Sequence, residues 1–320
     1  MMFDAGVVAC LEHLEAIPWS EEEEADVVSV LSQLQLREPA AEVLQRVLVE
    51  SSYSSRADAI FLRLLAGVLQ SKEEKARRDM KSLMIGLLQE DNSDKIDVSR
   101  ETLYHLCDKC ISSLLICLNE ATAAVNDHRR NLMADIAREA DNIQWLLEIL
   151  ISKKIADEFV TLWADQTDLA RIHGSIPVMY RCEISRITTQ LCVAVGKGEV
   201  MVGKEARLKV LRTWMEAVYE DFGWMKRACR GFDRRTVEEG LSEMILTLAM
   251  AEQQDILMRW FDIFLKKGDE CPNLQRAFRV WWRRSFVRRI AGRGGGGGGG
   301  GGGEHEPSRL QIVACEYPPA

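Results

Sequence analysis

Cys107 and Cys110, with His105 and Cys117 nearby, form the densest group of metal-ligating side chains in this 320-residue sequence. Thiolates three positions apart on a helix can share an ion, but a closed zinc site takes four ligands, and no second Cys-x-x-Cys or His pair follows. The three cysteines also share one helical stripe with Leu103 and Leu114, where cysteine behaves as a small hydrophobe. Core packing is the expectation, and no metal ligand or cofactor is assigned. Gly198, Gly203 and Lys204 fit the first seven positions of a phosphate-binding P-loop. The eighth is Glu205, a carboxylate where Ser or Thr must ligate magnesium, and the apolar run before the motif reads as helix rather than strand. An ordinary turn between helices is expected there, with a nucleotide-binding enzyme as the competing reading. Asp221-Phe222-Gly223 spells the metal-binding triplet of kinases, yet no Gly-rich loop, strand lysine or His-Arg-Asp loop precedes it. Gly223 is read as a turn between a helix ending near Glu220 and Trp224. His13, His128 and His173 have no acid and nucleophile at recognisable spacing, so no catalytic residue is assigned.

The sharpest local departure from average composition is residues 276–293, which hold seven arginines and no acid among Phe278, Trp281, Trp282 and Phe286. At about 100° per residue the arginines circle a helix with no gap wider than about 100°, whereas a membrane-surface helix segregates its faces. With a net charge of −8 for the whole chain, the remainder is acidic, and an Arg-rich helix docked on its own body is the simplest reading. Recognition of a partner protein comes next, ahead of nucleic acid or lipid. Trp145, Trp163, Trp214 and Trp260 lie among apolar residues at helical spacing and are expected in the core. Trp19, after Pro18, and the pair Trp281 and Trp282, which cannot both face one side, are better interface candidates. The partner-binding set is Trp19, Arg276, Arg279, Trp281, Trp282, Arg283 and Arg284.

The elements that must position these groups are helices. Apolar residues recur once per helical turn from Phe3 to Phe286, and no segment alternates with period two over strand length. Pro18 stops the first helix, and Ser20 with Glu23 is a capping box for the second. Pro39 suits the first turn of a third helix carrying Val43, Leu44, Val47 and Leu48. Residues 51–55 read as a loop. The next stripes are Ile60, Leu64 and Val68, then Met80, Leu83, Met84, Leu87 and Leu88. Ser99 is the expected N-cap of a long helix, and Ile136, Ala140, Ile143, Leu147 and Leu150 line another. Gly196 is read as the left-handed residue closing the helix through Ile184, Ile187 and Leu191. Phe261 and Leu265 are counted with Trp260 on one face, Pro272 opens the last helix, and the folded body is expected to end near Ile290. The expected fold is all-α, an array of short packed helices. Ten consecutive glycines, 294–303, then read as a flexible linker to a disordered tail.

Composition agrees with a folded protein: 47% hydrophobic and 28% charged residues exclude disordered and collagen-like classes, and no apolar run is long enough to span a bilayer. Net negative charge argues against a general nucleic-acid coat. Asp4 and Glu12 interrupt the start, so no secretory signal is expected; nine thinly spread cysteines fit reducing surroundings, hence an intracellular place, cytoplasmic or nuclear.

Several long peptides carry a resemblance: Cys10-Leu-Glu-His-Leu-Glu-Ala-Ile-Pro-Trp19, Ile136-Ala-Arg-Glu-Ala-Asp-Asn-Ile-Gln-Trp145, Ala156-Asp-Glu-Phe-Val-Thr-Leu-Trp163, Asp221-Phe-Gly-Trp-Met225, and the stretch from Cys271-Pro-Asn-Leu to Trp281-Trp282-Arg283-Arg284. Together, from about Met2 to Phe286, the chain resembles plant BTB/POZ domain-containing proteins in the part that follows the BTB fold. The resemblance implies that residues 1–19 are the end of a BTB domain, 20–120 a BACK-like helical region, 121–291 a family-specific helical region and 292–320 the Gly-rich linker and tail. The mixed sheet-and-helix BTB core has no counterpart in these residues. It further implies a non-catalytic module of a substrate adaptor for a cullin-3 ubiquitin ligase, which holds a protein substrate while transfer chemistry occurs elsewhere. Cullin-3 would be a partner only with a BTB core upstream; nucleic acid and membrane would not be partners. The alternative is a stand-alone helical scaffold without a ubiquitin-ligase role.

Overall fold

The computed structural model describes residues 2–33, 43–44, 53–89, 99–123, 127–229 and 231–286. Every regular element among them is helical: thirteen α-helices and one 3-10 turn. The glycine run 294–303, the tail after it and the expected end near Ile290 lie outside the described residues, as do Val47 and Leu48. The chain divides into two compact units, 1–98 and 99–320.

The first unit holds α1 (Met2–Ala16), α2 (Glu21–Gln33), α3 (Tyr53–Gln70) and α4 (Glu74–Gln89). The capping box forms as read: Ser20 N donates to Glu23 Oε2 at 2.8 Å, and Glu23 N donates to Ser20 Oγ at 3.4 Å. Both satisfy backbone donors that a helix start leaves open. Leu11, Leu31 and Val43 form a buried cluster, with Val7, Leu14, Trp19, Val27 and Leu44 packed on it. Helix α3 begins at Tyr53, inside the stretch expected to be a loop, and packs on α4. The stripe through α3 is also turned relative to expectation. Phe61, Leu65, Val68 and Leu69 are buried, while Ile60 and Leu64 are half exposed. Two apolar sets one residue apart both satisfy a helical period, and only packing chooses between them. In α4 the same choice buries Met84 and Leu88 and leaves Met80, Leu83 and Leu87 exposed.

The second unit runs α5 (Arg100–Ala123), α6 (Asp127–Ser152), α7 (Asp157–Ala164), α8 (Thr167–His173), α9 (Val178–Gly196), α10 (Lys204–Ala228), α11 (Arg234–Leu246), α12 (Met250–Lys267), a 3-10 turn (Gly268–Glu270) and α13 (Gln275–Phe286). Ser99 caps α5 as expected, its Oγ accepting from Thr102 N at 3.3 Å. Helices α5 and α6 pack along each other inside this unit, and the expected junction at 120/121 falls within α5. Helix α9 is the axis, in contact with α6, α10 and α11. Ten of its 19 residues are buried, among them Ile184, Ile187, Leu191 and Cys192, and a helix apolar on several sides belongs in an interior.

The turn after α9 corrects one reading. Gly196 stays helical, and the positive φ, 75°, belongs to Gly198. Gly196 lacks a side chain for another reason: a Cβ there would stand 2.5 Å from the Gly240 carbonyl oxygen of α11. Cys107 and Cys110 are buried in α5 as small apolar groups. Trp145, Trp163, Trp214 and Trp260 are all buried, as their spacing predicts. Trp163 and Trp214 stack at 4.5 Å, bridging α7 and α10. Trp163 Nε1 donates to Thr188 Oγ1 and Trp214 Nε1 to the Trp163 carbonyl, both at 2.9 Å. In α12, Trp260 is buried but Phe261 and Leu265 are exposed, so the apolar face there is narrower than expected. Pro272 precedes α13 by one turn, and Asn273 Oδ1 accepts from Gln275 N at 3.1 Å to start it.

Candidate functional site

Three side chains of catalytic type meet in the interior: His173 at the end of α8, Ser185 in α9 and Asp221 in α10, each essentially inaccessible to solvent. The sequence shows no such set, because the three residues are widely separated and only the docking of α8 and α10 on α9 unites them. Arg181, one turn before Ser185, completes the group. Its Nε donates to Asp221 Oδ1 at 2.8 Å, its Nη1 to the Gly174 carbonyl at 2.9 Å and its Nη2 to Glu220 Oε2 at 3.2 Å. Ser185 Oγ donates to Asp221 Oδ2 at 2.7 Å. His173 Nε2 lies 3.1 Å from that same oxygen, 3.1 Å from Ser185 Oγ and 3.3 Å from the Arg181 carbonyl.

This geometry is not that of a hydrolytic triad. A triad histidine uses one ring nitrogen toward the acid and the other toward the hydroxyl, so that it can take the hydroxyl proton. Here a single nitrogen meets both partners, and the hydroxyl gives its proton to the carboxylate. The arrangement satisfies a buried anion from three elements. Burial by itself would raise the Asp221 carboxyl, but the His173 hydrogen bond and charge, the Ser185 hydroxyl and the Arg181 guanidinium together hold it below its ordinary range. Asp221 thus ties α8, α9 and α10 together. The glycine two residues on also departs from expectation: Gly223 lies inside an unbroken α10 rather than at a turn. A Cβ on it would fall 1.9 Å from Glu270 Oε2, so glycine admits the Glu270 side chain, which pairs with Arg227.

The P-loop-like segment spans the turn between α9 and α10, helix to helix, and Lys204 pairs with Glu252 at 3.0 Å. A phosphate cradle needs a strand before the loop and a free lysine. The ordinary-turn reading fits this segment.

Helix α13 carries the remaining assigned residues. It packs on α11 and α12, and two adjacent tryptophans mark its inner and outer faces. Trp281 is 2% exposed and faces the body, while Trp282 is 39% exposed, as adjacent helical positions require. Trp282 stacks on Phe278 at 6.4 Å and leans on Phe286 at 4.4 Å; Phe278 stacks on Phe261 of α12 at 5.7 Å. Arg276 pairs with Glu243 of α11 at 2.6 Å, and Arg284 Nη1 donates to the Leu246 carbonyl at 3.5 Å. Arg279 and Arg283, one turn apart, are exposed and form no ion pair among the described residues, on the edge of a groove shared with Arg235 and Glu239. Trp19 belongs to the first unit, where it is partly buried on the Leu11, Leu31 and Val43 cluster.

Buried polar groups that serve packing, and an outer helix anchored by one aromatic and presenting another, belong to an all-α array of packed helices. The family model described as BTB/POZ Ankyrin-like repeat matches residues 53–288, and the chain belongs to this plant BTB/POZ family. It is 56% identical over 296 residues to the BTB/POZ domain-containing protein At5g60050 of Arabidopsis thaliana, covering 90% of this chain and 59% of that protein. It is 41% identical to At3g50780 and 35% identical to At2g13690, both BTB/POZ domain-containing proteins of the same plant, covering 91% and 90% of this chain and 56% and 54% of theirs. The chain therefore spans little more than half the length of these curated relatives. No solved structure matches it. No helix among the described residues is long and apolar enough to cross a membrane.

Proposed function

We propose that this chain is the non-catalytic, substrate-holding part of an adaptor for a cullin-3 ubiquitin ligase, with a protein as its partner. The observation that carries the contact surface is on α13: Trp282 is exposed beside Arg279 and Arg283, which form no ion pair among the described residues, while Trp281 locks the helix to the body. Exposed tryptophan and arginine are the side chains that most often dominate protein interfaces. Arg276 and Arg284 lie on the same helix and extend the surface, their own contacts to α11 holding its ends. The adaptor role rests on family membership and on the resemblance of the whole body to the region that follows a BTB core. In this reading residues 1–19 are the end of that core, and the BACK-like and family-specific helices follow it. Cullin-3 contact belongs to the BTB core, so this chain would hold the substrate only.

Affinity capture with the chain alone and with the chain extended by an upstream BTB segment tests this. The same non-cullin protein should co-purify with both, and cullin-3 only with the extended form. Capture should disappear with Trp282→Ala, Arg279→Gln and Arg283→Gln combined. Undiminished capture by that variant would remove α13 from the interface, and no cullin-3 with the extended form would leave a helical scaffold without a ubiquitin role.

A further inference from the structure

Near the outer end of the α9 and α10 pair, three ligand-type atoms converge that neither the adaptor reading nor the Asp221 network uses. Cys182 near the start of α9 is buried, and its Sγ lies 3.8 Å from Sγ of Cys229, the residue that caps α10. Cys229 Sγ in turn lies 4.0 Å from Glu183 Oε1. The three atoms all fall within 4.8 Å of one another. The two cysteines are 47 positions apart, which is why no spacing motif announces them.

The distances select among the things a cysteine pair can do. A disulfide needs about 2.05 Å between sulfurs. Two thiolates on one tetrahedral zinc, at about 2.3 Å each, stand about 3.8 Å apart. The observed separation rules out the disulfide; it is that of an S–H···S contact between the reduced thiols and equally that of the zinc pair, so the thiols already stand where an ion would hold them. The carboxylate is also arranged as a ligand. Glu183 Oε2 accepts from Gln144 Nε2 at 3.0 Å and from Arg186 Nη1 at 2.8 Å, which fixes the group and turns Oε1 toward the sulfurs. Ligating carboxylates are commonly held through such outer hydrogen bonds. Two thiolates and a carboxylate would carry three negative charges against a divalent ion, and Arg186 supplies the remaining positive charge. Glu183 and Cys229 are only partly buried, so an ion can enter and a water can fill the fourth position.

We propose that Cys182, Glu183 and Cys229 form a binding site for one zinc-class divalent cation. The ion bridges the start of α9 to the end of α10, and both thiol protons leave when it binds.

The test uses the full chain, reduced and metal-free, titrated with zinc against a chromophoric chelator and, separately, with cobalt. About one equivalent should bind, and cobalt should show a thiolate charge-transfer band. The Cys182→Ser/Cys229→Ser variant, which keeps all other cysteines, should lose both signals while keeping its helical circular dichroism. Glu183→Gln keeps both thiols and should bind at least about tenfold more weakly. Zinc uptake equal in the wild type and the double-serine variant overturns the site, as does undiminished affinity in Glu183→Gln. A Cys182 to Cys229 disulfide in protein isolated without reductant would do the same.

Discussion

Gly240 of α11 and Gly196 of α9 meet backbone to backbone, so closely that a Cβ on Gly240 would come within 2.6 Å of the Val193 Cα. Both are mid-element or end-of-helix glycines, where alanine would ordinarily stabilise a helix by about 0.5–1 kcal/mol. Here the sign reverses, because the methyl group must push two packed helices apart, at about 1–3 kcal/mol. Gly240→Ala should lower the unfolding midpoint in urea. Gly86→Ala in α4, with open space at its Cβ, should leave it unchanged or raise it.

Asp221 is fully buried with a guanidinium, a hydroxyl and an imidazole around it, so Asp221→Asn leaves Arg181 without its buried counter-charge. Breaking a buried pair from one side costs about 3–5 kcal/mol, and thermal unfolding at neutral pH should show it. Ser185→Ala removes one donor and should cost about 1 kcal/mol.

The same carboxylate sets a pH dependence. Its folded value lies below its ordinary value of 3.8, so it stabilises the fold fully above that value and the contribution fades as pH falls through the lower, folded one. Between about pH 5 and about pH 3 the wild type should lose more stability than Asp221→Asn. Parallel curves for the two proteins would show that Asp221 is not the titrating group.

Thr188 Oγ1 accepts from the Trp163 indole N–H inside the α7, α9 and α10 junction. Thr188→Val keeps the shape and strands the buried N–H, at about 1–3 kcal/mol. Thermal unfolding should register that loss, while the near-ultraviolet dichroism of the stacked Trp163 and Trp214 should persist, since their 4.5 Å contact does not depend on the hydroxyl.

On α13, Arg279→Gln and Arg283→Gln should change stability by less than about 0.5 kcal/mol, because both side chains are exposed and neither forms an ion pair among the described residues. Trp281→Ala, by contrast, empties a buried position at about 3–5 kcal/mol. Urea unfolding of the three variants separates the residues that hold the helix from those free to meet a partner.

The all-helical class, the Ser20 and Ser99 caps and the burial of Trp145, Trp163, Trp214 and Trp260 were all legible in the sequence. Each depends on neighbours within a few positions: side-chain oxygens reaching a first-turn N–H, or apolar groups recurring once per turn. The long peptides shared with BTB/POZ proteins carried the family in the same local way. What the sequence left open were choices between equivalent local patterns. Ile60 with Leu64 and Phe61 with Leu65 are two stripes on one helix, and only tertiary packing turned the second pair inward. Gly196 and Gly223 read as helix ends because glycine permits turns, yet each is a glycine because another backbone or side chain occupies its Cβ position. His173, Ser185, Arg181 and Asp221, and likewise Cys182 and Cys229, come together only when α8, α9 and α10 dock. Periodicity shows which side of a helix is apolar; the meeting of distant polar groups depends on crossing positions between helices, which the tertiary structure alone decides.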